Sequence, residues 1–216
     1  MDTILFDLDG TLLPIDQDRF INKYMDELSK KMGLLGYEKK RTIEAVWIGT
    51  KAMILNDGKK TNAERFWDAF ASVLGEGVRG TEDALEIFYK NEFNRVKSVM
   101  EPSLYSKDAV NILKGKNYKL ILATNPIFPR VAVESRLDWI GIDINIFDHV
   151  TSYEYCTYCK PNLGYYREIL QKIGKQPSEC MMVGNNVKED MCAMSLGMSG
   201  FLVTDNIENE DNEDIS

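Results

Sequence analysis

In the stretch Ile4-Leu5-Phe6-Asp7-Leu8-Asp9-Gly10-Thr11-Leu12-Leu13 a short apolar run meets two carboxylates one residue apart, then a glycine and a hydroxyl. Ile4, Leu5 and Phe6 are β-formers with no polar break, as expected of a strand buried on both faces of a parallel sheet. Strand periodicity sends Asp7 and Asp9 to one side and Leu8 to the other. Two carboxylates in so small a space repel each other unless a cation lies between them. The plainer alternative is a polar strand end that caps its own turn, because Asp-Gly is a common turn dipeptide. Three later stretches also end an apolar run, or open a helix, on a residue able to do chemistry. Leu120 to Asn125 is a strand pattern ending in Thr124 and Asn125; Lys160-Pro161 stands ahead of an amphipathic helix; Met181-Met182-Val183-Gly184-Asn185 is followed five residues on by Asp190. Taken singly, Thr124 reads equally well as a helix cap and Lys160 as a solvated surface lysine.

In this order the four stretches resemble the motifs of the haloacid dehalogenase-like (HAD) hydrolase superfamily, in its phosphatase form with a helical cap. The first motif there is Asp-x-Asp-x-Thr, matched at Asp7, Asp9 and Thr11; the fourth is normally Gly-Asp-x-x-x-x-Asp, matched at Gly184, Asn185 and Asp190. The resemblance implies a Mg²⁺-dependent phosphatase acting on a small phosphorylated metabolite. Asp7 would be the nucleophile and form an aspartyl-phosphate. Asp9 would protonate the leaving alcohol and then deprotonate the hydrolytic water. Thr124, Asn125 and Lys160 would bind the phosphoryl group, Lys160 also offsetting charge on the nucleophile. Mg²⁺ would be held by Asp7, by Asp9 through its backbone carbonyl, and by Asn185 or Asp190. Dehalogenase members lack the second acid, since a halide leaving carbon needs no proton, so Asp9 favours phosphoryl chemistry. Asn185 departs from the pattern: a neutral amide holds a hard cation less firmly than a carboxylate. If Asn185 is the ligand, Asn185→Asp is expected to tighten Mg²⁺; with Asp190 on the metal it would gain little. Two other functions keep the same residues: a phosphomutase that returns the phosphoryl group to a sugar, and a non-catalytic module that binds a phosphate ligand or a protein. A phosphonate-cleaving enzyme would need a cap lysine, and no motif selects among Lys51, Lys59 and Lys60.

These residues need a rigid frame, and the rest of the chain reads as one. Phe20, Tyr24, Met25, Leu28 and Met32 recur at helical spacing, and Met32 to Gly36 breaks the pattern. A second helix runs through Ile43, Val46 and Trp47 toward Leu55. Thr61 to Glu64 forms a capping box before an apolar face of Phe66, Trp67, Phe70 and Leu74, and a further helix carries Leu85 and Phe88. With no strand pattern among them, residues 15–99 read as one inserted helical bundle, the cap of the resemblance. After Glu101-Pro102-Ser103 strand and helix alternate, which predicts a parallel sheet. Ala109, Ile112 and Leu113 mark a helical face, Val131 to Ile140 the next helix, Val150 to Ser152 a short strand, and Phe201 to Val203 the last. The fold class is α/β, a doubly wound sheet with ligands at the carboxyl ends of its strands; the resemblance adds the order 3-2-1-4-5. The core is then 1–14 with 100–204, and 205–216 is an acidic tail, loosely ordered, with six acids and no base.

Composition narrows the class further. The 216 residues, 44% hydrophobic and 28% charged, suffice for one good core and a smaller subdomain. A net charge of -8 argues against nucleic acid, whose phosphates need a basic footprint. No apolar run approaches a membrane span and Asp2 stands where a signal peptide would be basic, so a cytoplasmic protein without a membrane partner is expected, as a monomer or homodimer. Cys156 and Cys159 have metal-ligand spacing but lack a second close pair, since Cys180 and Cys192 stand apart; small core residues are the better reading. His149, the single histidine, is assigned a structural role.

Overall fold

Thr3–Phe6 forms β1, buried along its whole length, at the centre of a five-stranded sheet in a computed structural model that describes residues 1–100, 105–209 and 212. The other strands are β2 Lys119–Leu122, β3 His149–Val150, β4 Cys180–Gly184 and β5 Ser199–Leu202. All pairings are parallel and the order is β3-β2-β1-β4-β5, the doubly wound order expected from the resemblance. Phe6 lies beside both Leu122 and Val183. Asp7, Ala123 and Gly184 therefore leave the sheet at one level, and this register brings three separate motifs to a single edge.

The helices are α1 Gln17–Leu34, α2 Lys39–Ile54, α3 Asn62–Leu74, α4 Glu82–Lys90, α5 Ser106–Gly115, α6 Arg130–Trp139, α7 Leu163–Ile173 and α8 Val187–Met191. Strand alternation divides the sheet's side chains between two layers. Leu5, Ile121 and Met182 pack with Tyr165, Tyr166 and Ile169 of α7. Ile4, Phe6, Leu120 and Leu122 share a second cluster with Val133 and Leu137 of α6. Burying each such side chain contributes about 1.5–3 kcal/mol, so both faces are well held.

Between α1 and the 3₁₀ stretch Glu92–Val99 the described residues contain helix and turn but no strand. The capping box at Thr61 is present: its hydroxyl accepts from the Glu64 N–H at 3.2 Å, and the Glu64 carboxylate takes the Thr61 N–H at 2.7 Å. This helical insertion lies against the α6 side of the sheet. Phe20, Tyr24, Phe88 and Phe93 join the cluster that holds Val133 and Trp139. Ser135 Oγ donates to the Tyr89 carbonyl at 3.0 Å and Trp139 Nε1 to Asn94 Oδ1 at 2.7 Å.

Several expectations give way. The helix α5 buries Val110, while Ile112 is 57% exposed: the buried stripe is offset from the one read through Ala109 and Ile112. Trp47 is exposed although its spacing put it on the inner face of α2. The strand β3 takes in His149 and stops at Val150, and β5 begins at Ser199, so Val203 lies beyond it. The boundary signal at Glu101-Pro102-Ser103 and half of the acidic tail lie outside the described residues. The start of that tail is docked: Val187 N donates to the Glu208 carbonyl and Glu208 N to the Asn185 carbonyl, both at 2.9 Å. No helix among the described residues is long and apolar enough to cross a membrane.

Candidate active site

The sheet's carboxyl edge holds one ammonium between two acids. Lys160 Nζ lies 2.8 Å from Asp7 Oδ1 and 2.6 Å from Asp190 Oδ1, and all three residues are buried. Asp7 is set by the end of β1, its N–H donating to the Val183 carbonyl at 2.9 Å. Asp190 comes from α8 and also accepts the Asn186 N–H at 3.0 Å. It packs so closely over β4 that a Cβ at Gly184 would sit 2.1 Å from its Oδ2, so only glycine leaves room for it. Lys160 opens the turn into α7 through a cis peptide bond to Pro161. Burial disfavours its charge, but Asp190 and Asp7 outweigh burial and hold the ammonium well above the ordinary lysine range. Burial pushes the Asp7 carboxyl up; Lys160 opposes that shift, while Asp190 and Asp9 add to it. One lysine does not fully compensate the crowded acids.

Asp9 faces a different cation. Its Oδ2 pairs with Arg136 Nη1 of α6, a guanidinium that is fully buried and lies 4.6 Å over the ring of Phe128. Period-two alternation does not reach Asp9 because β1 ends at Phe6 and the chain turns at once. Thr11 N and Leu13 N both donate to the Leu8 carbonyl, and Leu8 itself is buried. Asp9 Oδ1 and Arg136 Nη2 are buried polar atoms without a hydrogen-bond partner. Arg136 was not singled out from the sequence, yet a signal exists: with Val133, Leu137 and Ile140 it falls on an i, i+3, i+4, i+7 stripe, where a charge is out of place.

Thr124 and Asn125 stand where β2 ends. Thr124 is buried, and its carbonyl accepts from the hydroxyls of Thr151 at 2.7 Å and Tyr165 at 2.9 Å. Asn125 Oδ1 accepts the Lys160 N–H at 3.2 Å, and its Nδ2 donates to Glu189 at 3.1 Å. Asn125 thus braces the second, third and fourth motifs against one another, a role its reading as a substrate contact does not include. Asn185 is buried; its Oδ1 accepts from Thr11 Oγ1 and its Nδ2 donates to the Asn206 carbonyl, both at 2.8 Å. The sequence motifs converge on this edge, each with a defined partner.

A family model for haloacid dehalogenase-like hydrolases matches residues 1–195. The chain belongs to the haloacid dehalogenase-like hydrolase family. Among its relatives is a glyceraldehyde 3-phosphate phosphatase of Methanothermobacter thermautotrophicus, 31% identical over 140 residues. That match spans 63% of this chain and 61% of the relative's length. A HAD phosphatase from Thermococcus onnurineus has a similar structure, with a TM-score of 0.60 at 20% identity, covering 98% of this chain and 90% of that one. A HAD family enzyme from Bacteroides thetaiotaomicron, solved in complex with magnesium and inorganic phosphate, gives a TM-score of 0.57 at 17% identity and covers 98% of each chain.

Other features of this HAD-like hydrolase lie apart from the acids. A cavity of about 490 Å³ is lined by Tyr24, Trp47, Phe66, Trp67, Tyr89 and Phe128 among others, but by none of the motif residues. It adjoins the site through Phe128, whose ring lies under the Arg136 guanidinium. Cys156 and Cys159 are buried free thiols; burial pushes Cys156 up to about 12 and raises Cys159 as well, so neither is a ready thiolate. His149 is lowered by burial, and its Nε2 is buried without a partner.

Proposed function

We propose that this chain is a Mg²⁺-dependent phosphatase of small phosphate monoesters that works through an aspartyl-phosphate on Asp7. The observation that carries the reading is the Lys160 ammonium held 2.8 Å from Asp7, with a second carboxylate two residues on. A lysine so placed steers one Asp7 oxygen and leaves the other free to attack phosphorus. As Asp7 forms the new P–O bond the ester P–O bond breaks, and the leaving oxygen takes a proton from Asp9, which enters the step as the protonated acid. Asp9, now a base, removes a proton from the water that cleaves the acyl phosphate. To act as the acid Asp9 has to be protonated and off the Arg136 guanidinium when substrate is bound, and the proton it takes from water restores that acid for the next turnover. Thr124 lies at the end of β2, where a hydroxyl can donate to a phosphoryl oxygen.

The donor set suits Mg²⁺. Asp7, the Asp9 carbonyl and Asn185 Oδ1 offer hard oxygens only, and Asp7 is a buried carboxyl among other acids that a further cation would stabilise. No cluster of three or more His, Cys, Asp or Glu suited to a metal occurs among the described residues. A cation here would therefore be held by few protein ligands together with substrate oxygens. The ion would supply positive charge to the phosphoryl oxygens. Both Asp190 oxygens are engaged, Oδ1 by Lys160 and Oδ2 by the Asn186 N–H, so Asp190 acts on the site through that lysine, and we assign the fourth-motif ligand to Asn185.

The helical insertion 15–99 serves as the cap and sets selectivity. Four unpaired thiols suit a reducing, cytoplasmic setting. Purified protein is to be incubated with Mg²⁺ and a panel of phosphate monoesters, headed by glyceraldehyde 3-phosphate because a relative is named for it. Catalytic release of free phosphate from at least one small ester is expected. No release from any ester, or transfer of the phosphoryl group to a sugar without release, would overturn the proposal.

A further inference from the structure

The residues just after β5 return to the site. Asn206 offers its backbone carbonyl to Asn185 Nδ2 at 2.8 Å and its own Nδ2 to the Gly10 carbonyl at 3.4 Å. Two residues on, Glu208 N donates to the Asn185 carbonyl and the Glu208 carbonyl accepts from Val187 N, both at 2.9 Å, while its carboxylate accepts from Asn186 Nδ2 at 2.8 Å. Five hydrogen bonds thus tie the segment 205–209 to the first-motif and fourth-motif loops. The first-motif loop is shaped to accept this contact: Gly10 has φ +82, and a Cβ there would meet Asn185 Nδ2 at 2.3 Å.

The chemistry of Asn185 follows from the same contacts. An amide has one accepting and one donating end. With Nδ2 committed to the Asn206 carbonyl, Oδ1 is the end that faces Thr11. A carboxylate at 185 would set an anionic oxygen against a carbonyl oxygen, with no proton to share. We propose that 205–209 is a strap that belongs to the active site, with Asn206 as the positioning residue whose carbonyl orients Asn185 and makes an amide the preferred side chain there. This rests on the reading of Asn185 as the Mg²⁺ ligand, and it reverses the expectation that restoring the acid tightens the metal. A carboxylate gains affinity for Mg²⁺ only where the strap has been released.

The test is a double-mutant cycle in the full-length protein. Asn206→Gly with Glu208→Pro removes the Gly10 contact, the Glu208 N–H and the carboxylate on Asn186, which releases the strap. Mg²⁺ binding is measured by calorimetry with no substrate, and amide exchange at Leu13 and Val187 in the metal-free protein. With the strap intact, Asn185→Asp is expected to weaken Mg²⁺ about tenfold, the scale of one buried polar group left facing the wrong partner. With the strap released, the same substitution is expected to tighten Mg²⁺ relative to its parent. Strap release alone should speed exchange at Val187 and weaken Mg²⁺ several-fold. If Asn185→Asp tightens Mg²⁺ equally in both backgrounds, or if strap release lowers melting temperature with no change in Mg²⁺ affinity, the strap is only a structural closure and the proposal fails. Neither readout needs turnover, so a failed phosphatase assay leaves this result separately legible.

Discussion

Asp7 and Asp9 are two residues apart and end up in different surroundings. Asp7 sits on the sheet's own floor, its side chain 11% exposed, with Lys160 from the α7 side and Asp190 from α8. Asp9 faces the α6 side and the helical insertion, where its side chain is 19% exposed and its cation is Arg136. Each carboxylate is therefore held by a cation from the opposite layer of the sandwich. The difference separates two jobs. A nucleophile gains from being immobile and aimed, whereas an acid/base that acts on a leaving group and then on water must move. The floor is built from strand ends and admits little motion; the Asp9 side is continuous with the helices read as a cap.

The sharpest break in that comparison comes at the floor. Asp7→Asn keeps size and removes the attacking charge, so turnover is expected to fall by about 10³-fold or more while the fold survives. Phosphate release and circular dichroism together check this, and retained turnover would remove the covalent mechanism. Lys160→Met is expected to lose turnover too, since it removes the cation that steers Asp7, and also to lower stability, because it leaves Asp7 and Asp190 buried without their cation. Losses of about 3–5 kcal/mol are typical when one partner of a buried pair is removed, and urea unfolding measures it.

Asp9→Asn leaves the buried Arg136 guanidinium facing a neutral amide, so a stability loss of about 3 kcal/mol is expected, and beside it the variant should discriminate among substrates. For alkyl phosphates a loss of roughly 10²–10⁴-fold is expected, the usual worth of general acid catalysis. For p-nitrophenyl phosphate, whose leaving group needs little protonation, the loss should be much smaller. Equal losses on both would assign Asp9 some other role. Arg136→Met sharpens the contrast: by stranding Asp9 it is expected to cost about 3 kcal/mol of stability, yet to reduce turnover far less than Asp9→Asn. A variant as inactive as Asp9→Asn would mean that the guanidinium takes part in the reaction and does more than hold the resting carboxylate.

The two sides were not equally legible in the sequence. The floor was, because apolar strands ending in Asp, Thr and Asn can be read from local pattern, and parallel register brings strand ends together. Asp190 was visible by spacing, though not its pairing with Lys160, which depends on how α8 folds back over Gly184. The Asp9 side was obscured because strand alternation was extended past Phe6 into a tight turn. Arg136 lay within a helix recognised as such, but its burial depends on a partner 127 residues away. The docked start of the tail was hidden by composition: a run rich in acids and asparagine reads as solvated until its backbone is seen to pair with the fourth-motif loop. Long-range partners were what local pattern could not supply.

The mildest expected effect lies where the two sides are joined. Asn62, the first residue of α3 in the insertion, is fully buried, and its Nδ2 donates to the Pro126 carbonyl at 3.1 Å and the Tyr158 carbonyl at 3.3 Å, just beyond the second motif and just before the third. Its Oδ1 accepts from Asn56 Nδ2 at 2.8 Å, and its N–H donates to the Cys156 carbonyl at 2.8 Å. Beside the Ser135–Tyr89 and Trp139–Asn94 bonds, the insertion is thus fastened to the core by an amide that reads two loops at once. Asn62→Ala keeps the backbone bond and loses the rest, so a cost of about 1–3 kcal/mol is expected, or a few degrees in Tm for a chain of this size. None of these contacts touches Asp7 or Asp9, so kcat should change little while KM rises as the insertion is held less well. Asn62→Asp is the informative control: it retains the acceptor for Asn56 but sets a carboxylate oxygen against the Pro126 and Tyr158 carbonyls, and should be less stable than the alanine variant. If the aspartate variant melts with the wild type, the donor end of Asn62 carries no weight and the insertion is held by its other contacts with the core.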